Sequence, residues 1–324
     1  MMRPGKTVAK IVIGLSLFLV AGVFSTGTTR QGKTYANPVL VETFESPVMG
    51  TVGIGDPDVI FFEGKFYLYP TGDNRGYDVY ISPDLVHWEK GPRVFESRES
   101  GVWAPDVLYN PPDRKFYLYY TVNRRIGVAV SDRPDGNFID LGPLVEGAID
   151  ADMFLDGDGR YYLYYASYPG FRIYVQPMED AATKKGMPLP VIGPDRPWEK
   201  QGRPITEAPW MLKYRGVYYL LYSGGGADTG NYAIGYASAE GPLGPFTKFA
   251  GNPIVKKGRR VYGPGHCSVV ETPEGRFWMI YHQKKDAAKD WNRIICIDPL
   301  WFDSSGVLRG KATRGTPEPA PRVR

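Results

Sequence analysis

Hydrophobic positions recur with a period of two in the pentapeptide KFYLY, which occurs at Lys65 to Tyr69 and again at Lys115 to Tyr119. Looser copies follow in RYYLYY from Arg160, VYYLLY from Val217 and RFWMIY from Arg276. In the first copy Phe66 and Leu68 point to one side and Tyr67 and Tyr69 to the other. Both faces are therefore apolar, and the pattern predicts a strand covered on both sides. The copies start 45 to 59 residues apart, a period that signals an internal structural repeat.

Each repeat has the same order of segments. A motif-bearing strand comes first, as in GDPDVIFF, VWAPDVLYN, IDADMFLD, TEAPWMLKY and GHCSVVETP. A short turn rich in glycine and charge leads to the aromatic strand. A third strand follows, as in YDVYIS or YAIGYAS, and then a polar segment leading to a fourth, as in LVHWEKGPRVF or GPFTKFAGNPIV. Four strands in each of five units predict an all-β chain folded as a five-bladed β-propeller over residues 37–310. A lone four-stranded sheet would leave two apolar faces in water, and packing sheets radially covers both. A propeller of the WD type is disfavoured, because no Trp-Asp dipeptide ends a strand and the units number five. Two stacked sandwiches are the remaining alternative.

Composition agrees with strands and turns: 14% of the 324 residues are aromatic, and there are 39 Gly and 29 Pro. The first 30 residues read as a secretory signal peptide, with Arg3, Lys6 and Lys10 ahead of the apolar run from Ile11 to Phe24 and small residues after it. That run is shorter than the roughly 20 residues a membrane-spanning helix needs. The expectation is thus an exported protein, secreted or periplasmic, with no membrane association once the leader is removed. Residues 1–36 carry five basic side chains and no acidic one, so the net charge of +4 belongs to the leader and the remainder sits near −1. Nucleic acid is not an expected partner. Residues 311–324, Pro-rich and basic, read as a disordered tail.

Cys267 and Cys296 fall on the first and third strands of one sheet. Strands lie about 4.8 Å apart, which places the two too far from each other for a disulfide and predicts two buried free thiols. His87, His266 and His282 are not at metal-ligand spacing, and no zinc site is expected.

First strands of different blades converge on the central axis, so the motifs at their entrances should meet at one mouth of the channel. The repeat aligns Asp56, Asp150 and Glu207 at three entrances and His266 at a fourth. Carboxylates gathered and partly desolvated resist ionisation, so the arrangement suggests a purpose beyond packing. Paired carboxylates suit glycoside hydrolysis, where a protonated acid serves the leaving oxygen while a carboxylate takes a proton from water. Taken singly, each has a plain structural alternative: Asp56 before Pro57 can start a turn, and Asp150 can cap one.

The motifs NPV at Asn37, DPDV at Asp56, WAPDV at Trp103, AIDADMFLD at Ala148, TEAP at Thr206, GPGHCSVV at Gly263 and MIYHQ at Met279 resemble family 43 of the glycoside hydrolases in order and register. The resemblance runs from about Asn37 to Gly310. It implies a five-bladed propeller with inverting chemistry, Asp56 as general base, Glu207 as general acid, and Asp150 as the group that tunes and orients Glu207. It further implies an arginine, Arg293, reaching substrate near the acid. His266 is matched to an axial histidine that in several relatives holds a calcium or sodium ion through water; the alternative is a hydrogen-bonded axial histidine with no metal. No cofactor is required for the chemistry. Two departures stand out: Ala151 replaces the usual Pro after the aspartate, and Ala208 the Gly that commonly follows the glutamate.

Trp103 is placed to stack on a sugar face at the pocket, or else to pack between blades. Asp58, Asp106 and Asp152 read as backbone ties between blades more than as sugar ligands. The loop Ser223 to Gly230 has the glycines of a phosphate cradle but lacks the following Lys-Ser or Lys-Thr and helix, and reads as a rim loop. The expected partner is a pentose-containing plant-type polysaccharide or its fragments, with α-L-arabinofuranosidase favoured over β-xylosidase, endo-arabinanase or galactosidase because the chain ends soon after the fifth unit. A non-catalytic sugar-binding propeller, a retaining fructan hydrolase and an interaction scaffold are the rival classes.

Overall fold

The computed structural model describes residues 34–46 and 50–323, so the leader reading lies outside the described residues. Five four-stranded antiparallel sheets follow one another in chain order, each built first to fourth strand from the axis outward. Blade I comprises Gly55–Phe62, Lys65–Thr71, Gly76–Ser82 and Glu89–Glu96; blade II, Val102–Asn110, Lys115–Val122, Arg125–Ser131 and Ile139–Glu146. Blade III comprises Ala148–Leu155, Tyr161–Ser167, Ile173–Met178 and Leu189–Ile192. Blade IV has Glu207–Tyr214, Val217–Gly224, Ala233–Ala239 and Thr247–Lys248; blade V, Gly265–Glu271, Phe277–Lys284, Arg293–Phe302 and Leu308–Gly310. The expected five-bladed propeller is the observed fold.

The hydrophobic core lies in the seams between blades. Phe66 and Leu68 enter the seam between blades V and I, where they meet Trp278, Ile280 and Ile295. Tyr67 and Tyr69, on the opposite face of the same strand, enter the seam between I and II with Phe116 and Leu118. Three further clusters fill the remaining seams. This accounts for the repeated pentapeptide: a mid-blade strand needs two apolar faces because it serves two seams at once, each buried side chain being worth about 1.5–3 kcal/mol.

The buried polar atoms of these strands are satisfied across the seams. Tyr69, Tyr119 and Tyr164 occupy the same register in the first three copies. Their hydroxyls donate to the carbonyls of Pro134 at 2.7 Å, Ala181 at 2.6 Å and Pro242 at 2.5 Å, each in the blade that follows. Asp58, Asp106 and Asp152 do the reverse on the first strands, accepting from the backbone N–H groups of Val107 at 2.8 Å, Met153 at 2.8 Å and Met211 at 2.9 Å. These three aspartates tie backbone between blades. Cys267 and Cys296 are buried free thiols flanking Tyr281 of the intervening strand.

Ring closure corrects the reading of residues 311–324 as a disordered tail. Glu318–Pro319 pairs antiparallel with Thr34–Tyr35. Asp298, fully buried on blade V, accepts from Tyr35 Oη at 2.9 Å, Asn37 Nδ2 at 2.9 Å, Tyr281 Oη at 2.8 Å and the Thr313 N–H at 2.9 Å. Asn37 also exchanges two bonds with the backbone of Ile297. Arg314 donates to the carbonyls of Lys284 and Lys285 at 2.7 Å. The composition of the tail is that of a solvated segment, but a buried carboxylate needs donors, and the two ends of the chain supply them. Deleting residues 311–324 leaves Asp298 short of partners, and the midpoint of thermal unfolding is expected to fall by roughly 4–12 °C.

Candidate active site

Each first strand is irregular at its entrance. The ladder slips by one residue between Gly55 and Asp58, Trp103 and Asp106, Ile149 and Asp152, Glu207 and Trp210, and Gly265 and Cys267. The extra residue takes a left-handed backbone in every blade: Asp56 (φ 46°), Ala104 (43°), Asp150 (57°), Ala208 (51°) and His266 (49°). Such bulges re-aim side chains at the end of a strand, and five non-glycine residues in this region store strain at one place on the molecule. Asp56, Asp150 and His266 are thus repeat-equivalent, as expected. Glu207 is not. It pairs with Ser223 as Gly55 pairs with Thr71, one residue before the bulge, and Ala208 takes the position of the two aspartates. The positive φ of Ala208 also explains why glycine suits that point.

The bulged N–H groups are held by the preceding blade. Ala104 N donates to Thr71 Oγ1 at 2.7 Å, Asp150 N to Thr121 Oγ1 at 3.2 Å, His266 N to Ser223 Oγ at 2.9 Å, and Asp56 N to His282 Nδ1 at 3.1 Å. Blade III breaks the series, because Ala166 stands where the others carry a hydroxyl or imidazole. There Asp150 Oδ2 itself accepts the Ala208 N–H, at 3.1 Å. A missing hydroxyl thereby aims Asp150 at the backbone next to Glu207.

Electrostatics separate the three carboxyls. All are buried, with relative exposures of 7% for Asp56, 6% for Asp150 and 7% for Glu207. Burial opposes ionisation of Asp56, but the Arg293 guanidinium, with Nη1 2.7 and 2.8 Å from its two oxygens, and the His266 and His282 rings hold it well below the usual carboxylate range. Among the described residues the ion pairs at this site go to Asp56 and none to Glu207. Burial first, then the charge of Asp150, push it up to about 8, against the opposing pull of Tyr232 and His266. Burial also pushes Asp150 up, to about 6, with His266 pulling the other way. The pair therefore shares a proton near neutrality while Asp56 stays ionised.

Two histidines flank Asp56 in different states. His266 Nδ1 lies 3.2 Å from Asp56 Oδ1; burial disfavours its charge, but Asp56, Asp150 and Glu207 together raise its pKa. His282 is fully buried and burial lowers it to about 4. Its Nδ1 lies 3.1 Å from the Asp56 backbone nitrogen and 3.2 Å from Asp56 Oδ1, so one ring nitrogen faces both the N–H and the carboxylate of Asp56. His282 and Tyr232, whose rings stack at 5.5 Å, are site residues that sequence reasoning missed. The motif MIYHQ contained the first; nothing in the sequence marked the second.

A cavity of about 180 Å³ opens over these groups, lined by Asp56, Asp150, Glu207, His266, Arg293 and Trp103. Trp291, Tyr168, Phe171 and Arg203 complete its rim. Trp103 is fixed by its indole N–H to Asn74 Oδ1 at 2.5 Å and by Tyr77 Oη donating to its carbonyl at 2.7 Å. The loop Ser223 to Gly230 contributes Ala227 to the wall, and its Asp228 faces Arg203 at 3.6 Å, so it is a rim loop. Among the described residues no group of three or more His, Cys, Asp or Glu side chains could hold a metal ion, and His266 Nδ1 is directed at Asp56.

A five-bladed ring whose site holds one carboxyl ionised and another protonated is an arrangement suited to a propeller-fold hydrolase of glycosidic bonds. The model of glycosyl hydrolases family 43 matches residues 44–308, and the chain belongs to that family and is a glycoside hydrolase. It is 32% identical over 288 residues to a β-D-galactofuranosidase of Aspergillus niger, covering 78% of this chain and 81% of the relative. It is 30% identical over 316 residues to a xylosidase/arabinosidase of Bacteroides ovatus, covering 79% and 94%. Among solved structures, a thermostable family-43 glycoside hydrolase superposes with a TM-score of 0.80 at 35% identity, covering 90% of this chain and all of that one.

Proposed function

We propose that this enzyme removes terminal α-L-arabinofuranosyl units from plant-type polysaccharides or their fragments, with inversion at the anomeric carbon. Asp56 is the general base and Glu207 the general acid; Asp150 tunes and orients Glu207. The observation that carries the reading is the division of the site into one carboxyl locked ionised by Arg293 and another kept protonated at neutral pH by burial and Asp150. Water loses a proton to Asp56 and attacks the anomeric carbon while Glu207 protonates the departing oxygen. Trp103 and Arg293 border the sugar. Aromatic side chains from blades II and III and the Trp291 loop ring the cavity on several sides, which favours a pit for a chain end over an open groove.

The Aspergillus niger relative favours a second reading, β-D-galactofuranosidase. A β-D-galactofuranosyl ring has the same ring configuration as α-L-arabinofuranosyl and differs by one extra CHOH in its side chain. Export is part of the proposal: the leader pattern supports it, and an endo-α-(1→5)-L-arabinanase of Bacillus subtilis and an exo-α-(1→5)-L-arabinofuranosidase of Streptomyces avermitilis, both similar to this chain, are named as extracellular.

A panel of aryl α-L-arabinofuranosides, β-D-galactofuranosides and β-D-xylosides tests the sugar, and proton NMR of the first-formed anomer tests inversion. The furanosides should be cleaved faster than the xyloside, and first release of the retained anomer would sink the mechanism. The pH dependence of kcat/KM carries a sign. Glu207 works protonated, so activity falls as pH rises through about 8. Asp56 works ionised and remains so far into the acid range.

A further inference from the structure

Tyr232 immediately precedes the third strand of blade IV and is fully buried. Its ring occupies space that exists because residue 265 is glycine: a Cβ there would lie 2.0 Å from Tyr232 Cδ1. The ring is also held by the stack on His282, itself pinned by the Asp56 N–H. The position of the hydroxyl is therefore set by packing against both residues. Its oxygen is inaccessible to solvent and makes no hydrogen bond of good geometry at rest, although it lies near enough to Glu207 to act on that carboxyl. Of the groups acting on it, burial and then Glu207 dominate, with Asp150 and Asp56 further off; all keep the phenol neutral, as a donor.

A buried hydroxyl left without a bond is costly unless another state of the site uses it. The state in which Glu207 is protonated gives it no full negative charge to bind. The state reached when Glu207 has given up its proton does.

We propose that Tyr232 is a positioning residue for the acid: its O–H closes onto the Glu207 carboxylate as the proton passes from Glu207 to the glycosidic oxygen. This rests on Glu207 being the acid. In the step, the C–O bond to the leaving group breaks and that oxygen takes the Glu207 proton, while Asp56 takes one from the attacking water. Tyr232 keeps its own proton throughout and shares it as a hydrogen bond. Its influence on the resting site has the matching direction, since it works against burial and holds the Glu207 pKa down. Catalytic hydrogen bonds that are long at rest and tighten during reaction are a common pattern.

The test is Tyr232→Phe, which keeps the ring, its stack and the fit against Gly265. The expected result is a basic limb of kcat/KM moved upward by roughly one to two pH units, together with a roughly tenfold or greater loss of kcat on alkyl leaving groups. An activated nitrophenyl substrate, which needs little help from an acid, should lose far less. A purely structural Tyr232 leaves the limb where it was, and an unmoved or lowered limb overturns the proposal. Replacing Tyr232 with 3-fluorotyrosine, a stronger donor, should shift the limb the other way, and absence of that shift overturns it too. Glu207→Gln separates this inference from the reading it rests on. A Gln variant that still cleaves alkyl glycosides at the native rate removes Glu207 as the acid; a dead Gln variant beside a Phe variant with an unmoved limb removes only Tyr232.

Discussion

Glu207→Gln is expected to lower kcat on alkyl or sugar leaving groups by about 10²–10⁴, the usual contribution of general acid catalysis. The amide keeps nearly the same volume in a buried site and removes only the transferable proton, so the loss reports chemistry and not a cavity. The test lies in how the loss varies with the leaving group. A dinitrophenolate departs without protonation, so the variant should retain most of its activity on the dinitrophenyl glycoside while failing on the methyl glycoside. The basic limb near pH 8 should vanish along with the group that titrates there. An equal loss on both substrates would point to disturbed binding, and an unchanged rate on the methyl glycoside would remove Glu207 from the mechanism. Asp150→Asn should act less severely and in a defined direction. Removing the nearby negative charge lowers the pKa of Glu207, and the basic limb should move down.

Much of this site could be read from the chain because the repeat supplied a register. The five near-copies of KFYLY are two-faced strands, and counting back from them leads to the entrances where Asp56, Asp150 and His266 stand at equivalent bulges. The same count placed Glu207 at the shared position, whereas it sits one residue earlier and Ala208 takes the left-handed bulge. A one-residue extra in a ladder has no compositional signature, so the offset was not visible. Nor was the role of Ala166, whose missing hydroxyl leaves the Ala208 N–H to Asp150. Tyr232 and His282 escaped because their importance comes from blades IV and V meeting blade I, a contact made only when the ring closes. The tail was misread for a related reason. Its composition describes how it behaves alone, and the acceptor that orders it, Asp298, lies on another segment.

The hold of Arg293 on Asp56 leads to a prediction at a residue with no side chain. Gly55 precedes the base, and a Cβ on it would lie 2.4 Å from Arg293 Cζ and Nε. Its φ is not in the left-handed region, so glycine is needed there for space and not for backbone freedom. Arg293 cannot retreat easily: it is 4% exposed, its guanidinium lies over the Trp291 ring at 5.6 Å, and a Cβ on Gly53 would be 2.1 Å from its carbonyl. Gly55→Ala should therefore push the guanidinium off the Asp56 oxygens without touching either catalytic carboxyl. Displacements of about 1 Å at such a contact can cost roughly 10²-fold in rate, and that is the loss expected in kcat/KM. The pH profile identifies the cause. With Arg293 displaced, burial acts on Asp56 less opposed and its pKa rises, so the acidic limb should move to higher pH while the basic limb of Glu207 stays in place. Gly241→Ala, where a Cβ meets nothing within 4 Å, is the control and should leave both limbs and the rate unchanged. If Gly55→Ala folds normally and keeps both the native rate and the native acidic limb, the buried ion pair with Arg293 is not what keeps this base ionised, and the two histidines must suffice.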